Sequence, residues 1–293
     1  MTKILVAYHK EAQIVKDDVF VPIHTGAALA GNTAWSKDIL RDDAGDNISV
    51  KNPTYNELTA VYYAWKHYSE LGNPDRIGLC HYRRFFIFEE RKYAYYEQRD
   101  TGEHILQDIK AENLDPLLSS CDFVAPMPNV RKSVYDNYCS AHHKDDIDLA
   151  LDIVARLFPN IKPAADKYAH GKAAFFYNMF ILFRQDFFDY CEFIFGVMDE
   201  YEKLTAHRDE RFFISEVLTG MFFVYLMENG KKPLFLPVLY IGGKPSFKQS
   251  LAMCKANFKG NTSGFLFKIK PLIVYFTPNS LLLRRKRKTT SIK

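Results

Sequence analysis

The 293-residue chain has no uninterrupted run of the roughly 18 apolar residues that a membrane-crossing helix needs. It has no basic leader either, because it opens directly into Ile4-Leu5-Val6-Ala7, and the expected location is the cytosol. Cysteine is scarce: Cys80, Cys121, Cys139, Cys191 and Cys254 are odd in number, widely scattered and without CxxC spacing, which excludes a disulfide framework and a thiolate zinc site. The phosphate loop G-x-x-x-x-G-K-[ST], the dinucleotide turn G-x-G-x-x-G, the nucleophile elbow G-x-S-x-G and the zinc motif H-E-x-x-H are all missing. So is acid from one whole end: Asn229 to Lys293 holds 14 Lys or Arg and no Asp or Glu. The mild net charge of +4 therefore hides a body near −10 joined to an end near +14.

What is present is an ordinary core composition, 47% hydrophobic and 25% charged, enough for one large or two small domains and too apolar for disorder. Lys3–Tyr8 reads as a first, central strand that breaks into a polar loop at His9-Lys10-Glu11. Loops that follow such strands carry ligand sites in open α/β sheets. Thr54 and Glu57 spell a T-x-x-E capping box before Leu58, Val61, Tyr62, Trp65 and Tyr68 at helical spacing, so a helix is predicted from Tyr55 to Leu71. Arg76–Cys80 is a compact strand followed at once by His81-Tyr82-Arg83-Arg84. Further on, helices are predicted over Ile105–Leu118, Asp145–Phe158, Phe187–Leu204 and Arg211–Met227, and strands over Asp122–Pro126, Ala173–Phe183 and Leu234–Ile241. This alternation points to an α/β sandwich with a mostly parallel central sheet.

Four constellations could carry chemistry. Arg83 and Arg84, just past a strand end, offer planar charged forks for a diphosphate or carboxylate, with His81 as a titratable neighbour; surface ion pairs with Glu89 and Glu90 are the plainer alternative. Asp46, Asn47, Asn52, Asn56 and Glu57 cluster before and at a helix N-terminus, where unpaired N–H groups suit a nucleotide or sugar, although capping and turn roles explain much of the pattern. Tyr177-Asn178 interrupts an apolar strand, where a bare amide needs a ligand or backbone partner. Glu216 lies among apolar residues of a helix, so desolvation would bias it toward a general base, with an ion pair to Arg208 or Arg211 as the alternative. His142-His143 ahead of Asp145-Asp146 is a weak metal pattern, because adjacent histidines on a helix diverge. Asp146-Ile-Asp148, the nearest approach to an Asp-x-Asp pair, falls inside a predicted helix.

Lys3-Ile-Leu-Val-Ala-Tyr-His-Lys10, Asp46-Asn-Ile-Ser49, Lys51-Asn-Pro53, Tyr55-Asn-Glu-Leu-Thr59, Trp65, Gly78-Leu-Cys-His-Tyr-Arg-Arg-Phe85 and Tyr177-Asn-Met179 together resemble the DUF4422 family of bacterial capsular and exopolysaccharide glycosyltransferases. The resemblance implies a GT-A-like nucleotide-binding sandwich over residues 1–241, with 242–293 as a basic extension. It also implies transfer of a sugar, galactofuranose in characterised relatives, from a UDP-sugar to a lipid-linked oligosaccharide. In that reading His81, Tyr82, Arg83 and Arg84 stand where related enzymes carry a metal-binding Asp-x-Asp, and the arginines neutralise the leaving diphosphate. Glu216 is the candidate base, with Asp46 or Glu57 in reserve; the family's S-E-R-L reads Ser215-Glu-Val-Leu218 here. Tyr8, His9, Asp46, Asn47, Asn52, Asn56, Glu57, His81, Tyr82, Tyr177 and Asn178 are the expected donor and substrate ligands. No resident metal or cofactor is expected, with a divalent cation left as an open alternative. A noncatalytic carbohydrate- or nucleic-acid-binding module is the rival reading; no specific nucleic acid is expected as partner.

The resemblance also implies a place beside the inner face of the bacterial plasma membrane. Leu281-Leu-Leu283, the run Arg284–Lys288 and the apolar stretch Phe265–Phe276 would hold residues 265–293 against an anionic surface, at about 1 kcal/mol per basic residue near it. Flotation with anionic liposomes should recover the full chain and not a version ending at Asn279; equal recovery of both would remove the anchor.

Overall fold

The computed structural model describes residues 1–31, 33–89, 95–98 (backbone only), 114–242 and the single positions 247, 250, 251, 254 and 269. The strands are β1 (Thr2–Tyr8), β2 (Phe20–His24), β3 (Leu40–Arg41), β4 (Arg76–His81), β5 (Arg84–Phe86), β6 (Tyr95–Gln98), β7 (Phe123–Pro126), β8 (Asn129–Val130), β9 (Ala173–Ala174), β10 (Phe180–Phe183), β11 (Pro233–Leu236) and β12 (Val238–Ile241). The helices are α1 (Ala27–Ala30), α2 (Asn52–Tyr55), α3 (Leu58–Lys66), α4 (Leu114–Ser119), α5 (Val134–Cys139), α6 (Lys144–Leu157), α7 (Lys162–His170), α8 (Arg184–Leu204) and α9 (Ile214–Glu228).

The main sheet runs β11-β7-β10-β4-β1-β2-β3. Strands β4, β1, β2 and β3 are mutually parallel, β11 is parallel to β7, and β10 is inserted antiparallel to both β4 and β7. The sheet is buried on both faces because successive residues of β1 serve different cores. Leu5 and Ala7 join the cluster under α3 and α6 to α9, while Ile4, Val6 and Tyr8 join Phe20, Phe85, Phe86 and Val238 on the other side. Among the described residues no helix is long and apolar enough to cross a membrane. Beyond Gly242 the structure describes only isolated positions, so the expected membrane-facing extension lies almost wholly outside the described residues.

Several predicted boundaries moved for local reasons. Strand β2 was not among the predicted strands; Pro22 within it is tolerated because β3 pairs only with Ile23 and His24, leaving Pro22 with a neighbour on one side. The single strand expected over Leu234–Ile241 is two, split at Pro237, and β12 leaves the main path to pair with β5 and β6. The strand expected over Ala173–Phe183 breaks at Tyr177 and Asn178, which take φ values of 81° and 50°. The capping box does not form. Thr54 Oγ1 donates to the Lys51 carbonyl, the helix starts at Leu58, and the Glu57 carboxylate turns elsewhere. The part of the predicted Ile105–Leu118 helix before Leu114 lies outside the described residues.

Gly78, within the G-L-C-H-Y-R-R run, is required by a close approach of strands. A Cβ there would lie 2.7 Å from the Phe180 carbonyl oxygen and 2.9 Å from Ile181 Cγ1 on β10. Gly78→Ala should therefore lower stability by about 1–3 kcal/mol, read as a reduced melting temperature; an unchanged melting curve would mean that β10 yields without cost.

Candidate active site

Parallel β1 and β4 end side by side, and the Tyr82 N–H bonds the Ala7 carbonyl (3.0 Å), so the two polar loops that follow open on the same carboxyl edge of the sheet. A cleft of about 310 Å³ lies there. His9, His81, Tyr82, Arg83 and Arg84 come to it from these strand ends, Asn52, Asn56 and Glu57 from the start of the α2–α3 segment, Tyr177 from the break before β10, and Glu216 from the first turn of α9.

One wall is cationic. The Arg83 guanidinium stacks over Tyr82 (4.9 Å) and Tyr240 (5.6 Å), and that of Arg84 over Tyr177 (4.7 Å) and Tyr240 (5.4 Å). Contact with the ring faces holds both groups without using their N–H donors. Among the described residues no ion pair of either arginine is seen, and Glu90, one partner in the plainer alternative, lies outside them. Nε of both arginines and the Tyr82 hydroxyl are buried without a hydrogen-bond partner. His9, edge-on to Tyr82 at 5.0 Å, is held below its ordinary pKa by desolvation and by Lys10, Arg211 and Arg83. His81 is buried, and burial lowers its pKa further than Glu57 raises it. Its Nε2 meets the Tyr177 carbonyl, which can only accept, so this nitrogen carries the hydrogen.

The opposite wall carries two carboxylates. Burial, and then the charge of Glu57, push the Glu216 pKa up to about 7, against a Tyr177 backbone N–H and Arg84, which lower it. Neither Arg208 nor Arg211 forms an ion pair with Glu216 among the described residues; Arg208 donates to the Lys203 carbonyl instead. Glu57 accepts from Asn178 Nδ2 (2.7 Å), which also donates to Ser215 Oγ (3.0 Å), while Asn178 Oδ1 accepts from Thr219 Oγ1 (2.8 Å). Asn178 is only 2% exposed, so this expected sugar ligand stands behind the cleft and aims Glu57 into it. Four non-glycine residues have positive φ among the described residues, and three of them, Asn56, Tyr177 and Asn178, surround this site. Such strain, about 1–3 kcal/mol per residue, persists where the surroundings fix a geometry.

Three other expected ligands also fall outside the cleft lining. The Tyr8 hydroxyl donates to the Gln13 carbonyl (3.0 Å) and accepts from the Val15 N–H (2.9 Å), bracing the loop after β1 from within the core. Asp46 accepts from Tyr62, and Asn47 closes its own turn through the Asp43 and Gly45 carbonyls. Thr25, Arg211, Phe213 and Ser215 line the cleft and were not among the expected ligands. Arg211 was instead read as a possible partner of Glu216, and the predicted helix over it hid the fact that it sits in the lead-in to α9. A further positioning residue, Asp42, carried no sequence signal. It is fully buried, accepts from the Gly26 and Ala27 N–H groups (2.8 and 3.0 Å) and so sets the turn that places Thr25. Gly26 has φ 70°, and a Cβ there would lie 2.8 Å from Asn52 Oδ1, so the glycine lets Asn52 pack beneath it.

The mostly parallel α/β sheet, with one antiparallel strand set into it and a cleft at the carboxyl strand ends, is a GT-A-like fold. Residues 3–229 match the family model described as a domain of unknown function, DUF4422, and the chain belongs to that family. No curated protein matches it. The solved apo structure of the WbbM bifunctional glycosyltransferase is similar, at a TM-score of 0.73 and 26% identity, over 82% of this chain and 45% of that one. The chain thus spans less than half of that protein's length.

Because the folded pKa of Glu216 lies above its usual value of 4.5, its contribution to stability is complete below that value and is lost as pH rises through about 7. Glu216→Gln should therefore melt higher than the parent protein at pH 8, with the gap closing at pH 5 in differential scanning fluorimetry. A gap that does not vary with pH would show that the carboxyl group titrates normally.

Proposed function

We propose that this chain is a glycosyltransferase that moves a sugar from a UDP donor, galactofuranose by family resemblance, to a hydroxyl of a lipid-linked saccharide in bacterial surface-polysaccharide assembly. The observation that carries the reading is the pairing, across one cleft, of buried unpartnered donors on Tyr82, Arg83 and Arg84 with a carboxyl group whose pKa is near 7. The similarity to a glycosyltransferase structure supports the same class. In the proposed step the acceptor oxygen bonds to the anomeric carbon while the bond from that carbon to the diphosphate oxygen breaks. Glu216 takes the hydroxyl proton, and the charge left on UDP falls to Arg83 and Arg84.

Both guanidinium groups already rest against aromatic rings, so little reorganisation is needed when the charge develops. The groups at the end of β4 are cationic or bonded to a carbonyl, which does not fit a divalent cation held by an acidic pair against the diphosphate, and no step is routed through one. Glu57, held by Asn178, sustains the high pKa of Glu216 and stands close enough to hydrogen-bond a sugar hydroxyl in the same cleft. Residues 265–293 would keep the protein at the cytoplasmic face of the membrane, where such acceptors are anchored.

Replacing both Arg83 and Arg84 by Ala should leave circular dichroism and melting intact and abolish transfer, since one well-placed donor is worth about 100-fold in rate. Glu216→Gln should cost about 10²- to 10⁴-fold in kcat and remove the rise in rate through about pH 7. Near-normal turnover of either variant, with a panel of UDP-sugars and a lipid-like acceptor, would sink the assignment. Thermal stabilisation by UDP supports the transferase, whereas stabilisation by glycan or oligonucleotide alone would favour a noncatalytic binding module.

A further inference from the structure

His143, His207 and Glu210 come from segments far apart in sequence and meet at one point on the surface. His143 is the residue before α6, and His207 and Glu210 lie in the turn between α8 and α9. Glu210 is shared by both imidazoles. His143 Nε2 lies 3.3 Å from its Oε2 and His207 Nδ1 lies 3.6 Å from its Oε1, with the two rings stacked at 3.7 Å and 5°. One donor atom from each residue falls within 4.8 Å of the others, and among the described residues no other set of three His, Cys, Asp or Glu side chains does so.

A single small ion with bonds of about 2.0–2.1 Å in a tetrahedral arrangement puts neighbouring donor atoms about 3.3 Å apart. The three donors already lie within 4.8 Å of one another, and the two stacked imidazoles would turn about their Cβ–Cγ bonds to aim both in-plane lone pairs at one ion. The supporting shell is also built. Asp146, in the first turn of α6 and 7% exposed, accepts from the Thr205 hydroxyl (3.2 Å), and that hydroxyl accepts from the backbone N–H of His207 (3.1 Å). The Glu210 N–H in turn bonds the His207 carbonyl (3.0 Å). The turn bearing two of the donors is therefore pinned to the helix bearing the third by buried groups that are not themselves ligands. Isolated surface histidine–glutamate pairs would be worth little and would not need this support.

We propose that His143, His207 and Glu210 bind one divalent transition-metal ion of the zinc class, with a fourth position open to water. Two imidazoles and one carboxylate are a common donor set for such an ion. The ion would clamp the start of α6 to residues 205–213, the segment that delivers Arg211 and Phe213 to the cleft. Phe212, one residue from each, is locked between Tyr55 (5.5 Å) and Tyr201 (5.2 Å), so a clamp at Glu210 is transmitted to the cleft wall over a very short length of chain. The site takes no part in the chemistry assigned to Arg83, Arg84 and Glu216, and its existence does not depend on the reaction.

The test uses the full chain stripped with a chelator and titrated with Co²⁺ and Zn²⁺. Binding should saturate at one ion per chain, Co²⁺ should give the visible absorption of a four-coordinate nitrogen–oxygen site, and Zn²⁺ should raise the melting temperature. His143→Ala combined with His207→Ala should remove the spectrum and the thermal shift while leaving the metal-free melting temperature within about 2 °C of the parent. Thr205→Val, which removes the hydroxyl linking Asp146 to the turn, should weaken binding about tenfold, the usual loss for an outer-shell partner. Absence of saturable binding, or equal binding by the double variant, would overturn the proposal and leave the three side chains as ion pairs only. Because the readouts are spectral and thermal, they stand whether or not the chain transfers a sugar.

Discussion

The buried amide of Asn178 can be accommodated only if every one of its polar atoms finds a partner, and meeting that demand organises the whole cleft. Its nitrogen reaches Glu57 and Ser215 and its oxygen is met by Thr219, which is also bonded to Tyr190 (2.8 Å). These partners belong to the start of α3, to α9 and to α8, so one side chain fixes three helices relative to the sheet. The same residue and Tyr177 hold left-handed backbone, which turns the Tyr177 carbonyl to His81 at the end of β4. An apolar residue at 178 would release Glu57 and the strained turn together.

From that arrangement follows a separation of charge. The strand ends after β1 and β4 collect His9, Arg83 and Arg84, whereas the helix starts bring Glu57 and Glu216. Separation matters because the guanidinium groups would otherwise be neutralised by the carboxylates and lose their value for an anionic ligand. Arg84 still lowers the Glu216 pKa, but burial and Glu57 outweigh it, so the carboxyl group titrates close to physiological pH. The aromatic faces of Tyr82, Tyr177 and Tyr240 hold the half-buried arginines while their buried Nε atoms stay without a hydrogen-bond partner.

The places where sequence reasoning failed are informative. The T-x-x-E pattern at Thr54 looked like a cap, and a helix terminus does need caps, but Asn178 competes for the same carboxylate and wins because its own burial leaves it no water. Strand β2 went unpredicted, and its Pro22 is acceptable only because that sheet position has a single neighbour, which cannot be seen before the neighbours are known. Asp42 gave no hint, since an aspartate buried to accept two backbone N–H groups looks the same in a string of letters as one on the surface. The His-His pair at 142–143 is a weak metal pattern because adjacent histidines diverge, and what the letters do not show is that His143 meets residues more than sixty positions away while His142 stacks on Phe213.

Periodicity and charge order along the chain determined the alternating α/β architecture, the strand that ends at His81-Tyr82-Arg83-Arg84 and the division between an acidic body and a basic end, because these depend on neighbouring residues alone. Only the tertiary structure decided which groups share a cleft. Glu57 and Asn178 are separated by 121 residues and Asn178 and Ser215 by 37, and no local rule couples them. The acidity of Glu216 belongs to the same category. A pKa near 7 is created by desolvation and by a second carboxylate on the same wall of the cleft, and both exist only once the chain has packed.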